Sequence, residues 1–110
     1  MNAFDILGDP VRRRILELLA RSELSSGEVV AVIAEEFGIS QPAVSQHLRI
    51  LRENGFASVR PLGTRRIYSL DMSGLDAVDR WLTDLRAFWD QRLDSLGTEI
   101  ARGKRARRRG

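Results

Sequence analysis

The chain has 110 residues, of which 43% are hydrophobic and none is cysteine; these values predict one small domain and exclude disulfides and thiolate metal sites. The net charge is +3. No apolar run approaches the roughly 18 residues that a membrane span needs. Residues 1–10 also lack the basic start and apolar stretch of a secretion signal, so we expect a cytoplasmic protein without a membrane segment.

Charge is segregated along the chain. Residues 41–66 hold five arginines against Glu53 alone, a net charge of +4, whereas residues 71–99 hold seven acidic groups against three arginines, a net charge of −4. Such local clustering favours a polyanion as the partner of the basic segment. Residues 102–110 hold six basic residues and no acidic one, and we expect them to form a disordered tail beyond a folded domain of residues 1–101.

The first 21 residues predict two helices. Residues 2–8 suit a short helix, after which Asp9 and Pro10 suit the N-cap and the first position of a second helix. One face of that second helix carries Val11, Ile15, Leu18 and Leu19. We expect the three arginines Arg12, Arg13 and Arg14 to face mostly away from it.

The next two helices have clear boundaries. Ser25 and Glu28 have the spacing of a capping box, which begins a helix that Gly38 ends. Ser40 suits the N-cap of the following helix, and Asn54-Gly55 ends it. The apolar positions of the first of these helices are Val29, Ile33 and Phe37. Only about three residues join the two helices, and a connection that short predicts a helix-turn-helix arrangement.

Beyond residue 55 the pattern changes to strand and then to a long helix. The segment "FASVRPLGTRRIYSL" predicts two strands around a turn at residues 61–64. The basic side chains near the tip of this hairpin are Arg60, Arg65 and Arg66.

The long helix is predicted from about Ser73 to Ile100. Its apolar residues recur at alternating steps of three and four, as in a helix that packs along a partner helix. We expect this face to form a dimer interface as well as part of the core. The alternative is that it covers only the core of its own domain.

The second helix of the helix-turn-helix pair presents polar groups outward. At about 100° per residue, Gln46 and Arg49 lie opposite Val44, and Ser45 lies on the flank. A hydroxyl, an amide and a guanidinium can read base edges or anchor phosphates. The alternative is an ordinary solvated face, but the short turn before this helix and the basic hairpin after it favour DNA.

Three segments together resemble the ArsR-type winged helix-turn-helix transcription regulators: "LGDPVRRRILELL", "GISQPAVSQHLRILRENGF" and "GTRRIYSL". The likeness covers roughly residues 5–100. It implies a mainly α-helical fold with a small β-hairpin wing, and a homodimer paired through its terminal helices. Two recognition helices would then enter successive major grooves of a palindromic double-stranded DNA operator.

Carried over by position, the resemblance assigns DNA contacts to the recognition segment and the wing tip. These residues are Ser40, Gln41, Ser45, Gln46, His47, Arg49, Gly63, Thr64, Arg65 and Arg66. The last helix resembles that of a metal-independent branch with a Trp-rich dimer interface. The interface that we expect comprises Phe4, Leu7, Leu75, Val78, Trp81, Leu82, Leu85, Phe88, Trp89 and Leu96.

The residues available do not suit the metal sites of the family. Many members bind metal through two cysteines, where this chain has Ser25 and Gly27, and others use histidines on the last helix, where residues 73–101 contain none. Soft or borderline metals need thiolate or imidazole donors. We therefore expect no metal effector and no cofactor.

His47 is the only histidine of the chain. A catalytic base would need a nucleophile or carboxylate partner, and one imidazole per subunit is a poor metal site. Two alternatives remain open: His47 packs against its own domain and donates to a backbone group, or it lies at the groove edge and contacts a phosphate or a base.

We expect a transcription regulator rather than an enzyme, and a repressor rather than an activator. Repression needs only occupancy of a promoter, and the chain has no spare domain to recruit polymerase. One alternative is a winged-helix module that binds protein through its arginines. Another is a regulator with a small apolar effector at the dimer interface, near Trp81 and Trp89.

Overall fold

A computed structural model of the protein describes the backbone of residues 1–109 and the side chains of residues 1–97. In chain order the elements are α1 (Ala3–Leu7), α2 (Pro10–Arg21), β1 (Leu24–Ser25), α3 (Ser26–Phe37), α4 (Gln41–Glu53), β2 (Ala57–Leu62), β3 (Arg65–Leu70) and α5 (Met72–Arg109). The predicted fold, mainly helical with a small β-sheet, is confirmed. The chain divides into two compact units, Met1–Val78 and Asp79–Gly110.

Local capping sets the helix boundaries as predicted. Asp9 accepts hydrogen bonds from two backbone N–H groups at the start of α2, whose first residue is Pro10. Ser25 and Glu28 form the reciprocal capping box of α3. Gly38 ends α3 in the left-handed conformation, with φ 64°, and Ser40 caps α4. The two helices are therefore joined by the short turn that the sequence predicts.

The sheet has three antiparallel strands in the order β1–β3–β2. The hairpin of β2 and β3 is confirmed, but its turn is tighter than predicted, because the strands continue to Leu62 and resume at Arg65. Pro61 lies within β2 opposite Arg66 rather than in the turn. Since β2 is an edge strand, a proline without an N–H is tolerated there. Gly63, with φ 62°, begins the two-residue turn.

The core of the first unit lies between α1–α4 and the sheet. The fully buried side chains come from the apolar stripes of the helices and from the residue before β2: Ile6, Ile15, Val29, Ile33, Val44, Leu48, Leu51 and Phe56. Phe37, which we expected on the apolar face of α3, is instead 37% exposed at the last position of that helix. Burial of the α4 stripe leaves the opposite face of α4 to solvent.

The second unit is the remainder of α5. The large apolar side chains that the structure describes there are 38–64% exposed within one subunit: Trp81, Leu82, Leu85, Phe88, Trp89, Leu93 and Leu96. Leu93 was not among the interface residues expected from the sequence. Helix α5 continues to Arg109, beyond the end near Ile100 that the sequence predicts. The side chains of the basic tail, residues 102–110, lie outside those that the structure describes, and the division into domain and tail stays a prediction. None of the described helices combines the length and the hydropathy that a membrane span requires.

Candidate nucleic-acid interface

Helix α4 turns its polar residues outward. Its N-cap is Ser40, whose hydroxyl accepts the backbone N–H of Ala43 at 3.3 Å. Val44, Leu48 and Leu51 are buried and form the inward stripe of this helix. The predicted contact residues Ser40, Gln41, Ser45, Gln46 and Arg49 are all exposed. The assignment of the outward face of α4 therefore agrees with the structure.

A groove of about 610 Å³ runs along this face. Its walls are α4, the first residue of α3 and strand β3. The lining residues are Ser26, Pro42, Ser45, Gln46, Leu48, Arg49, Arg52, Arg66 and Tyr68. Three of these are arginines and none is acidic, so the groove is electropositive. An anion is its natural ligand.

Three polar lining residues, Arg52, Ser26 and Tyr68, were not among the predicted DNA contacts. Arg52 follows Ser45 by seven residues, or about two helical turns, so both lie on the same flank of α4. That signal was present in the sequence. Ser26 and Tyr68 reach the groove only through the packing of α3 and β3, which no local pattern shows.

Arg49 makes one weak ion pair. Its Nε lies 3.8 Å from the Glu53 carboxylate, one helical turn away, and both side chains are more than half exposed. Exposed i,i+4 pairs contribute only about 0.3–0.5 kcal/mol. The guanidinium is therefore available to a stronger anion in the groove.

Two arginines of the wing are held by carboxylates of their own domain. Nη2 of Arg60 lies 2.7 Å from Glu23, and Nη2 of Arg65 lies 2.9 Å from Glu28. Arg60 pairs with Ile67 in the middle of the hairpin, so it does not lie at the tip as expected.

Glu28 has a second role at the start of α3. The hydrogen bond from the Ser25 backbone lowers the pKa of Glu28, and the Ser25 hydroxyl and Arg65 lower it further.

Among the side chains that the structure describes, Arg66 alone of the three wing arginines has no ion pair. Arg66 therefore faces the groove with its charge uncompensated.

Arg12 is buried, and the expectation that it faces away from the domain is wrong. Its side chain is 8% exposed and reaches the C-terminal end of α1. Nε donates to the carbonyl of Ile6 and Nη2 to the carbonyl of Asp5, both at 2.9 Å. Nη1 lies 3.3 Å from Nδ1 of His47 and 3.9 Å from the Asp9 carboxylate. Carbonyls left unpaired at the end of a short helix thus accept this charge.

His47 is half-buried, and its partner is a side chain rather than the backbone group that one alternative expected. A guanidinium has donors only, so Nδ1 of His47 accepts from Arg12. No cluster of three metal-ligating side chains occurs among the residues that the structure describes.

Comparison with known proteins identifies the family. The model of the bacterial regulatory proteins of the arsR family matches residues 9–59. An HTH-type transcriptional regulator of Mycobacterium tuberculosis is 44% identical over 91 residues, which are 83% of this chain and 78% of that protein. The transcriptional repressor SdpR of Bacillus subtilis is 37% identical over 74% of this chain and 86% of its own. The chain belongs to the ArsR family.

A solved structure of a possible transcriptional regulator for arsenical resistance agrees with this assignment. It superimposes with a TM-score of 0.65 at 35% identity, over 90% of this chain and 96% of that one. As an ArsR-family member, the chain is a DNA-binding transcription regulator of the winged helix-turn-helix type and not an enzyme. The resemblance stated from the sequence is confirmed at the level of family, fold and function class.

The predicted dimer residues fall into two groups. Leu7, Leu75 and Val78 are partly buried, and the two leucines pack against the core of their own unit. Phe4 is 47% exposed, and the large apolar residues of α5 beyond Val78 are exposed to a similar degree. The first group therefore has a structural role within one subunit, and the second group has apolar surface left for a partner.

Proposed function

We propose that this ArsR-family regulator is a homodimeric repressor that binds a palindromic operator. In this proposal α4 enters the major groove of the operator and the wing lies on flanking DNA. The observation that carries the proposal is the electropositive groove, whose arginines come from α4 and β3 together. A phosphate backbone that crosses this groove would meet Arg52 and Arg66 on opposite walls.

The outward face of α4 suits base recognition beside that phosphate site. Gln46 offers an amide and Arg49 a guanidinium, which are the groups that pair with adenine and guanine edges in the major groove. Ser40 and Ser45 offer hydroxyls for phosphate or base. We assign specificity to Gln46 and Arg49, and affinity to Arg52 and the wing residues Gly63, Thr64, Arg65 and Arg66.

Dimerisation is supported by the apolar side chains of α5. Seven large apolar residues from Trp81 to Leu96 are each at least 38% exposed in one subunit, and monomeric soluble proteins rarely leave a large apolar patch in water. The neighbouring charges are mostly acidic, and an acidic surface does not suit DNA. A second copy of the same helix is the occupant that we propose, and two copies would present two recognition helices to one operator.

We further propose that repression is relieved without a metal and that the protein acts in the cytoplasm, where bacterial DNA is located. A relative of known structure is described as a possible regulator for arsenical resistance. This chain, however, has one histidine and no cysteine, so it lacks the soft donors that such a metalloid would need. Added Zn²⁺, Cd²⁺ or arsenite at micromolar levels should therefore leave operator binding unchanged.

The deciding experiment selects bound fragments from genomic DNA and then titrates full-length protein against the selected duplex and a scrambled one at several salt concentrations. We expect specific binding that weakens with salt, with a slope of about −0.9 for each phosphate contact. The matched control is Arg21→Ala, which removes an exposed arginine at the end of α2, outside the groove. Absence of binding, or equal loss in Arg21→Ala and Arg52→Ala, would overturn the assigned interface.

A further inference from the structure

The contact between Arg12 and His47 links three helices. Arg12 belongs to α2, its two carbonyl acceptors belong to α1, and His47 belongs to α4. Of the five predicted contact residues in α4 itself, His47 alone is half-buried, and Gln46 before it lines the groove. A side chain in the interior therefore touches the DNA-binding helix directly.

We propose that Arg12 is a positioning residue for DNA binding, which fixes His47 in the tautomer that carries its proton on Nε2 and so presents Nε2–H as a donor for a DNA phosphate. The DNA part of this inference rests on the proposed function. The tautomer part rests on the geometry of the free protein alone.

The guanidinium of Arg12 has one available orientation. Nε and Nη2 are both engaged by carbonyls at 2.9 Å, one from Ile6 and one from Asp5. Two hydrogen bonds to a planar fork fix its plane as well as its position. Nη1 is then directed toward Nδ1 of His47 at 3.3 Å and is not free to turn elsewhere.

The chemistry of the pair sets the tautomer. Arginine donates and never accepts, so the facing imidazole nitrogen must offer its lone pair. With Nδ1 as the acceptor, the proton of a neutral imidazole lies on Nε2. Because Nδ1 is engaged by the buried Arg12, Nε2 is the ring nitrogen left for a contact outside the domain, and the residue is partly exposed.

Arg13 provides a matched control on the same helix. Arg13 also donates to a carbonyl of α1, that of Leu7. Unlike Arg12, it is exposed, and this hydrogen bond does not involve His47. Lysine at either position keeps the charge and the aliphatic stem but replaces the planar fork by a single nitrogen. Arg12→Lys should therefore release His47, and Arg13→Lys should not.

The tautomer is tested by ¹⁵N NMR of the imidazole in full-length protein. Because the chain has one histidine, the spectrum contains one ring and needs no assignment. In spectra recorded at alkaline pH, we expect Nδ1 to be unprotonated and Nε2 protonated in the wild type and in Arg13→Lys. Arg12→Lys should give shifts averaged between the two tautomers. A protonated Nδ1 in the wild type, or an averaged wild-type spectrum like that of Arg12→Lys, would overturn the inference even where Arg12→Lys fails to fold.

The link to DNA is tested by a double-mutant cycle with the selected operator duplex. Arg12→Lys should weaken binding about tenfold when residue 47 is histidine and less than about twofold in the His47→Ala background, because its effect passes through that ring. Arg13→Lys should stay within about twofold of the wild type in both backgrounds. His47→Gln, which keeps a donor near the position of Nε2, should restore part of the affinity that His47→Ala loses.

The outcomes of the double-mutant cycle test the positioning role of Arg12 and the phosphate-donor role of His47 separately. Equal loss from Arg12→Lys in both backgrounds would show that Arg12 acts on overall stability, and would overturn the positioning role. If the wild type binds no DNA at all, the proposed function fails, and the phosphate-donor role of His47 fails with it. The NMR measurement then still confirms or overturns the tautomer separately.

Discussion

The ring of Phe56 lies directly against Gly74, so closely that a Cβ on Gly74 would be 2.7 Å from two ring carbons. Phe56 is 1% exposed and belongs to the core. The backbone confirms the close approach, because the N–H of Gly74 donates to the carbonyl of Gly55 at 2.8 Å and that of Asp71 to the carbonyl of Phe56 at 3.0 Å. The first turn of α5 thus sits on Phe56, the residue before β2.

Gly74→Ala should therefore destabilise the protein, although alanine is the better helix former. The helix preference gains at most about 1 kcal/mol, and less in a first turn, whereas an overpacked core costs about 1–3 kcal/mol. Chemical unfolding measures the difference. Gly97→Ala is the control, because that glycine is also in α5 and nothing lies within 4 Å of its Cβ position. A Gly74→Ala variant as stable as Gly97→Ala would contradict the close packing.

The groove arginines should differ in what their loss does to DNA binding. Arg52→Ala should weaken operator and scrambled duplexes alike and reduce the salt slope by about 0.9, because a phosphate carries no sequence information. Gln46→Ala and Arg49→Ala should instead reduce discrimination between the two duplexes by about 1–3 kcal/mol. Titration at several salt concentrations separates the two effects. Unchanged affinity and discrimination in all three variants would place the interface elsewhere.

The apolar face of α5 should control the oligomeric state. Trp89 is 53% exposed in one subunit, so Trp89→Ala removes little packing within that subunit. If a partner covers the ring, the variant should lose on the order of 3–5 kcal/mol of association free energy, and operator affinity should fall with it. Sedimentation at micromolar concentration measures the oligomeric state. Arg80→Ala is the control, because Arg80 is exposed and lies outside the three-and-four repeat of α5. A monomeric wild type would contradict the dimer.

The ion pair between Arg14 and Glu36 predicts a pH dependence of stability. Arg14 donates to both carboxylate oxygens, at 2.9 and 3.0 Å, and this hydrogen bond lowers the pKa of Glu36. A carboxylate with a lowered folded-state pKa stabilises the fold above its ordinary pKa, and that contribution is lost as the pH falls through the lowered value. Glu36→Gln should therefore lower Tm slightly at about pH 7, and the difference should vanish at acidic pH below the lowered pKa, where the wild-type carboxyl is also neutral. A difference that persists at the acidic pH would mean that the pair is not its cause.

Much of the fold was predictable because its signals are local. A serine three residues before a glutamate, a glycine after the last apolar position and a proline after an aspartate each act within one helical turn, so the ends of α2 and α3 could be located from the sequence. The buried stripe of α4 likewise fixed its outward face, and with it Gln46 and Arg49.

The features that were missed depend on tertiary contacts. Strand β1 has two residues, too few for a period, and exists because Leu24 and Ser25 pair with β3. On a helical wheel Arg12 lies beside Leu19 at the edge of the apolar face, but an arginine at an edge is more often solvated than buried. It is buried because α1 ends where its carbonyls can accept the guanidinium. The third wall of the groove, β3, also reaches α4 only in the folded chain.

The carboxylate of Glu23 should limit the affinity of the wing for DNA. Glu23 and Arg60 form an exposed ion pair at 2.7 Å, with both side chains about half exposed, so the pair is weak and a phosphate can compete for the guanidinium. Glu23→Gln should therefore strengthen binding to operator and scrambled duplexes alike, by about two- to threefold at low salt. The salt slope should steepen by up to about 0.9 if Arg60 takes a phosphate contact. Glu35→Gln is the control, because it makes the same change of net charge at an exposed residue near the end of α3. Since Arg60 is paired with Glu23, the control should have less effect. Equal gains in both variants would attribute the effect to net charge alone, and a loss in Glu23→Gln would mean that the ion pair shapes the wing for DNA rather than restraining it.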